Sequence, residues 1–472
     1  MNEIDSREFS AKGAVAYSFG QLSLITAYQS FTFLVFTFYY AVVKLDVVLI
    51  TIGFIVWSIF NAFNDPIMGY FSDRTHTKWG RRRPYIMIAL VPLAVAEFFL
   101  FFPPLSYGIK DAIINFAFFV SIILIFEMCY TTYDINLTSL LPELFITEEA
   151  RLKANNIRQV FAIFGLIFAF ILPSFFISDF SDPKSLNQYA EFGIVLMILI
   201  IIIGLIFLKF TPREREEFRE DYKLTPGFVE GFKRSLKNKS FRRAIPAFMG
   251  DMFVTTMLPT IVPLYGKYVL NVGEGETFLL SLMLGITFIS AAISITFIWR
   301  PIAAKIGIRR MWMISSFVWI LTLVPLLFIT DISAGFIVFF LIGIGLAGSL
   351  YSKDLIVAAI IDEDEVLTGS RNDASYFAFY IFFLRLATIF VFLAISLVFT
   401  NTGWAIYEPE AVTPRVIMGL RVLAFLFPAI ALTIIILAMV KYPLDGDYLK
   451  DIREKLEKIH EEKRAKVKGL KE

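Results

Sequence analysis

Apolar residues along this 472-residue chain fall into long runs separated by short polar segments. Each run approaches or exceeds the roughly 20 residues that an α-helix needs to cross about 30 Å of hydrocarbon. Twelve such runs can be marked, at 13–42, 46–71, 84–102, 111–141, 154–178, 190–210, 244–270, 277–299, 311–329, 334–361, 374–400 and 416–441. Lipid offers no partner to backbone N–H and C=O groups, and these runs are far too long for barrel strands, so helices are predicted. Glu3, Asp5, Arg7 and Glu8 precede the first run with no short apolar core and cleavage site, so that run is expected to be retained rather than removed as a signal.

The connecting segments predict orientation. Lys and Arg concentrate in loops that stay in the cytoplasm. Loops after runs 2, 4, 6, 8 and 10 carry Arg74, Lys78 and Arg81 to Arg83, then Arg151 and Lys153, Arg213 through Arg243, Arg300 with Lys305, Arg309 and Arg310, and Arg371; the alternate loops hold isolated charges such as Lys44, Lys110 and Lys184. Both termini are therefore expected in the cytoplasm of a cell-membrane protein. The longest polar stretch divides the runs six and six, giving an N-terminal half 1–210, a central loop 211–243, a C-terminal half 244–441 and a charged tail 442–472. Asp65-Pro66-Ile67 with Gly80-Arg81-Arg82 recurs as Arg300-Pro301-Ile302 with Gly307-Ile308-Arg309-Arg310, the prolines 235 residues apart, so an internal repeat is inferred. Six plus six helices around a basic central loop is similar to the layout of the major facilitator superfamily, whose halves rock about a midplane site. In the tail, Leu449, Ile452, Leu456 and Ile459 recur at helical spacing and predict an amphipathic helix packed under the bundle.

Composition excludes other classes. The apolar set makes up 57%, mean hydropathy is +0.69 and charged residues are 18%, against about 45–50% apolar with glycine counted and about 25% charged in soluble domains. A net charge of +2 gives no electrostatic motive for nucleic-acid binding. The single cysteine, Cys129, forms no intrachain disulfide, and His76 and His460 lie in charged segments, so a zinc cluster has no candidates and a membrane-embedded enzyme lacks a nucleophile and base pair beyond Cys129.

Charged residues at bilayer depth narrow the chemistry, since each costs about 2.5–3.5 kcal/mol at a helix centre on insertion scales. They are Asp65, Glu97, Glu127, Asp134 and Arg158 in the first half, and Asp251, Lys353, Asp354 and Arg385 in the second. Asn61, Asn64 and Asp65 at i, i+3 and i+4 share one helical face, and Thr131 shares a face with Asp134. Oxygen-bearing side chains with only one or two charges suit a hard monovalent cation, or a carboxylate placed to carry a proton. Lys353 and Asp354 are expected to compensate each other, and Arg385 either reaches the cavity or pairs with a carboxylate such as Asp354.

At these residues a family resemblance enters. Asn61-Ala62-Phe63-Asn64-Asp65-Pro66-Ile67-Met68-Gly69-Tyr70, then Asp73-Arg74 and Trp79-Gly80-Arg81-Arg82-Arg83-Pro84, resembles the signature of glycoside–pentoside–hexuronide:cation symporters, the group that includes the melibiose carrier. Tyr130 to Asp134 leading to Leu141-Pro142-Glu143-Leu144, Asn155-Asn156-Ile157-Arg158, Asp362 to Glu365 with Thr368-Gly369-Ser370-Arg371, and Lys267-Tyr268-Val269-Leu270 are similar too. The resemblance implies cation-coupled symport of a sugar by alternating access, with no cofactor and with H+ or Na+ as coupling ion. It implies a cation site of Asn61, Asn64, Asp65 and Thr131, in which Asn61 stands where the melibiose carrier has the first of two aspartates, so proton coupling is placed ahead of sodium. It implies sugar anchors at Asp134 and Arg158, whereas Ile25 stands at the family's helix-1 aspartate and Thr138 at its tryptophan. Tyr130 is a candidate apolar wall, and Arg385 falls at a helix-11 lysine facing the cavity. Asp73, Arg74, Arg81, Arg82, Asp362 and Arg371 are expected to act as cytoplasmic gate elements. The expected partners are a small-molecule sugar or glycoside and the lipid bilayer, with no nucleic acid and no protein partner. A carrier of lysolipid-like amphipaths is the alternative, because related sequences are not confined to sugars and 52 Phe can line an apolar channel.

Overall fold

The apolar runs fold as helices throughout the computed structural model, which describes residues 10–73, 75, 77, 79–145, 148–212, 235–369 and 373–469. Among the described residues, twelve helices are long and apolar enough to cross a bilayer. They are α1 (Ala11–Val42, its last turn of π form), α2 (Val47–Asp73), α3 (Arg83–Leu100), α4 (Ala112–Leu144), α5 (Glu148–Ile171), α6 (Leu186–Phe210), α7 (Lys239–Tyr268), α8 (Thr277–Ile306), α9 (Ile308–Leu323), α10 (Ile332–Thr368), α11 (Asp373–Asn401) and α12 (Pro414–Val440). An amphipathic helix α13 (Gly446–Gly469) follows.

Local chemistry sets the ends. Ser10, Asp111, Asn238 and Asp331 cap α1, α4, α7 and α10 by accepting from first-turn amides. Gly369, at φ 74°, closes α10 in the left-handed conformation that glycine adopts without penalty. Several helices run beyond their apolar pattern at the end nearest the chain termini. Thus α7 begins at Lys239 inside the segment read as central loop, and α10 continues past the end of its run at 361 through Asp362 to Glu365. The reason is hydrogen bonding: Glu363 accepts from Asn238 Nδ2 at 3.2 Å and from Tyr448 of α13 at 2.8 Å. The acidic turn is thereby a dock for two other helices, and α13 tucks Ile452 against the bundle.

Packing repeats between halves. In the first, α1 packs on α5 and α6, α3 on α4 and α6, and α2 on α4; in the second, α7 packs on α11 and α12, α9 on α10 and α12, and α8 on α10. Adding six to each number of the first set gives the second, so both halves share one architecture. Across the interface α2 meets α11, α5 meets α8 and α1 meets α7, which obeys the same exchange. Close approach of α10 to its neighbours depends on small residues. A Cβ at Gly343 would strike the Thr287 carbonyl of α8, and one at Gly348 would strike Ser315 of α9.

With an even number of spans, both ends of the chain lie on one face, here called the near face. The far ends of the halves are joined. Lys267 at the end of α7 pairs with Asp179 between α5 and α6 at 2.6 Å, and Thr277 Oγ1 donates to the Ile177 carbonyl at 2.8 Å. The Val47 amide of α2 donates to the Ala405 carbonyl at 2.8 Å, and the Tyr40 hydroxyl of α1 donates to the Trp404 carbonyl.

Candidate functional site

Three helices bring charged groups together inside their spanning segments. On α2, residues 57, 61 and 65 follow one another at i, i+4 and i+8, so they form a stripe along one face. That stripe meets α4. The Trp57 indole donates to Glu127 Oε2 at 2.9 Å, and the Thr131 hydroxyl lies 2.9 Å from Asp65 Oδ1 and 3.2 Å from Glu127 Oε1. Asn61, fully buried between Trp57 and Asp65 in the stripe, has neither polar atom hydrogen-bonded, and the buried Asn64 leaves its amide nitrogen unpaired. Pro66 follows Asp65 inside the helix and removes an N–H from the ladder beside the carboxylate.

The counter-charge comes from the other half. Arg385 on α11 places Nε 3.6 Å from Asp65 Oδ2 and donates through Nη1 to the Tyr28 hydroxyl of α1 at 2.8 Å. Its guanidinium lies 5.5 Å from the centre of the Tyr28 ring, close enough for a cation–π contact. Asp65 and Arg385 side chains are 17% and 12% exposed, so water screens the pair weakly. Arg385 thus pairs with Asp65 rather than Asp354, and one ion pair ties α2 of the first half to α11 of the second.

Asp134 and Arg158 do not pair with each other. Arg158 bonds Asn155 Oδ1 at 3.1 Å and Gln21 Oε1 at 3.4 Å, while Asp134 accepts a long bond from Thr138 at 3.5 Å. Both are left partly exposed with bonding capacity to spare. Tyr130 stacks on Tyr28 with centroids 4.8 Å apart, so the tyrosine that receives Arg385 also holds Tyr130 flat.

A cavity of about 510 Å³ lies between the halves, within the range of small-molecule sites. Gln29 and Gln159 face it from the first half and Thr256 and Lys353 from the second, but most of its wall is apolar, including Ile25, Phe288 and Trp319. Tyr28 belongs to that wall, whereas Asp134, Arg158, Tyr130 and Arg385 do not line the cavity. Lys353 was expected to neutralise Asp354. It does attract that carboxylate, but its ion pair is with Asp251 of α7, with Nζ 3.4 Å from Oδ2, and Asp251 also accepts from Ser349, which in turn accepts from Trp312. Asp354 is exposed. Sequence reading missed this pairing because its members lie about a hundred positions apart.

Comparison with known proteins decides the family. The profile of the MFS/sugar transport protein family matches residues 14–446. The chain belongs to that family. Among solved structures, a D-xylose-proton symporter superposes with a TM-score of 0.65 at 15% identity, covering 91% of this chain and 97% of that one, which establishes the major facilitator fold. Among curated relatives, the glucuronide carrier protein homolog of Escherichia coli is 21% identical over 95% of each chain. Sodium-dependent lysophosphatidylcholine symporter 1 of mouse is 20% identical over 85% of this chain and 80% of its own. The resemblance to glycoside–pentoside–hexuronide:cation symporters is borne out, and members of this family are transporters rather than enzymes.

In this MFS sugar-transport chain the repeated basic motif has the same partner type in each half. Arg81 and Arg82 bind Glu143 at 2.7 and 3.4 Å, and Arg309 and Arg310 bind Asp445 at 3.0 and 3.4 Å. Each carboxylate sits at the near end of its own half, so the motif pins a near-face loop to the half that carries it. Arg82 also donates to Ser72 at 2.7 Å. Arg74 and Arg371 lie outside the described residues, as does the Asp73 side chain, and Asp362 occupies the last turns of α10.

Proposed function

We propose that this protein is a cation-coupled symporter that moves a sugar or glycoside by alternating access, with its near face cytoplasmic in the cell membrane. The observation that carries the reading is the Asp65 carboxylate, which is shared between Thr131 of its own half and Arg385 of the opposite half. A proton or monovalent cation at Asp65 weakens its hold on Arg385, so ion binding bears directly on the contact between the halves that must change in transport. Asp65, Asn61, Asn64 and Thr131 form the ion site. Asp134 and Arg158 bind sugar hydroxyls by accepting and donating respectively, Tyr130 supplies a flat wall, and Arg385 links ion to substrate. Coupling then requires that each ligand bind more tightly when the other is bound.

Arg81, Arg82, Asp73, Arg74, Asp362 and Arg371 make up the near-face closure, with Glu143 holding the first two in place. The basic loops on that face support its cytoplasmic assignment, and the chain's units are the halves 1–210 and 244–441 joined by 211–243 and followed by 442–472.

The apolar wall of the cavity, with Ile25 rather than a carboxylate on α1, favours a second reading in which the substrate is a lysolipid-like amphipath. Thermal unfolding of purified protein with glycosides, pentoses, hexuronates and lysolipids, each with and without sodium and at two pH values, separates the two. A ligand at 100 times its Kd adds about 2.7 kcal/mol of stability. Stabilisation by a sugar, lost in Asp134→Ala and Arg158→Ala, is the expected result; stabilisation by lysolipids alone overturns the sugar assignment.

A further inference from the structure

We infer that Glu127 is the second carboxylate of the ion site and that it holds a single proton in common with Asp65 through the hydroxyl of Thr131. The inference rests on the proposed role of Asp65 and deepens it. Thr131 Oγ1 has one hydrogen, yet it stands within hydrogen-bond distance of an oxygen of each carboxylate, 2.9 Å from Asp65 and 3.2 Å from Glu127. Two ionised carboxylates would compete for that hydrogen, leaving one buried oxygen facing the hydroxyl's lone pairs. A proton on one of them resolves the conflict. With the proton on Glu127 Oε1, Glu127 donates to Thr131 Oγ1 and Thr131 donates to Asp65 Oδ1, so every contact is a proper hydrogen bond. The chain runs equally well in reverse, and the site holds the proton as a pair.

Charge counting reaches the same stoichiometry. The groups around Glu127 are Asp65 and Trp57 on α2, Tyr130 and Thr131 on α4, Tyr28 on α1 and Arg385 on α11, with Asp134 one turn beyond Tyr130. With Asp134 set against Arg158, Asp65 and Glu127 ionised against Arg385 leave one uncompensated negative charge inside the spanning helices, where such a charge is expensive. One proton removes it. Glu127 is fully buried and its other oxygen is taken by Trp57, so it has no water of its own with which to settle the charge. Asn61 adds a second, independent sign that the pocket exchanges a ligand: it is fully buried on the same stripe, and its amide has both a free donor and a free acceptor. The missing aspartate at position 61 is thus made good one helix away, by a glutamate one turn before Thr131.

Infrared difference spectroscopy of the purified protein across an acid–base titration, without substrate, tests the pairing. In a Glu97→Gln background, which removes a further fully buried carboxyl whose oxygens have no hydrogen-bond partner, a carboxylic-acid carbonyl band that disappears on raising the pH is expected. Glu127→Gln and Asp65→Asn should each abolish it, because either change leaves one carboxylate balanced by Arg385 and no need for the proton. Thr131→Val should shift the band and Thr131→Ser should restore its position, which covers the case in which Glu127→Gln fails to fold. A band lost in Asp65→Asn but intact in Glu127→Gln would overturn the pairing and leave Asp65 alone as the ion site. A band indifferent to both substitutions would overturn the pairing and the proposed ion site together. Loss of the band on adding sodium chloride at constant pH would overturn the proton as the bound ion.

Discussion

At the scale of single residues, the fold's mid-depth charges sort by what they touch. Asp65 touches both halves of the protein, so its removal should act on coupling rather than on assembly. In Asp65→Asn we expect ion-driven accumulation to be lost while ion-independent exchange of substrate across proteoliposome membranes persists. Loss of both activities in a folded variant would assign Asp65 to substrate binding instead. Much of this site was legible in the sequence, because Asn61, Asn64 and Asp65 repeat at helical spacing and Thr131 lies on a second helix in a recognisable motif. Glu127 was legible only as a buried charge, although its i, i+4 spacing to Thr131 was a usable signal. Arg385 to Asp65 and Lys353 to Asp251 were not legible: each joins residues from different helices, and no local pattern says which of several buried carboxylates a distant cation will meet.

At the scale of elements, helix positions followed from the apolar runs because the bilayer leaves few alternatives, and the errors fell where helices leave it. The extension of α10 through Asp362 to Glu365 illustrates the physical reason. An acidic turn is a poor spanning segment but a good dock, and Asn238 and Tyr448 reach it from positions 125 and 85 residues away. Burial, first, and the bond to Glu363, second, push the Tyr448 phenol from its ordinary 10.0 up to about 12. The folded protein therefore keeps a proton there that the unfolded chain has released, so the docking of α13 should weaken as pH rises through that interval and be unaffected below it. Tyr448→Phe should remove this pH dependence, as read by hydrogen exchange of α13 amides. Packing inside the half makes a firmer prediction. Gly343→Val places methyl groups against the Thr287 carbonyl and should cost about 1–3 kcal/mol, seen as a lowered Tm.

At the scale of the whole molecule, the far-face contacts hold the halves together at one end, and the proposed alternating access requires that they part. Lys267 with Asp179 is the charged element of that seal. Lys267→Ala should favour the arrangement opened at the far face, raising the labelling rate of a cysteine placed at position 177 or 405 relative to the same cysteine in the unmodified background. An unchanged rate would mean that the Thr277 and Val47 hydrogen bonds and the surrounding aromatic packing keep the face closed unaided. The internal repeat was visible only as a duplicated basic motif, yet its meaning is structural: Arg81 and Arg82 pair with Glu143, and Arg309 and Arg310 with Asp445, so equivalent near-face loops are pinned in the same way.

The central claim is that ion binding at Asp65 drives uphill movement of a sugar. Purified protein in proteoliposomes, given an inward proton or sodium gradient and the glycoside that most stabilises it against heat, measures that claim directly. Accumulation above the external concentration, abolished by collapsing the gradient and by Asp65→Asn, is the predicted result. Accumulation that ignores the gradient or survives Asp65→Asn would contradict it.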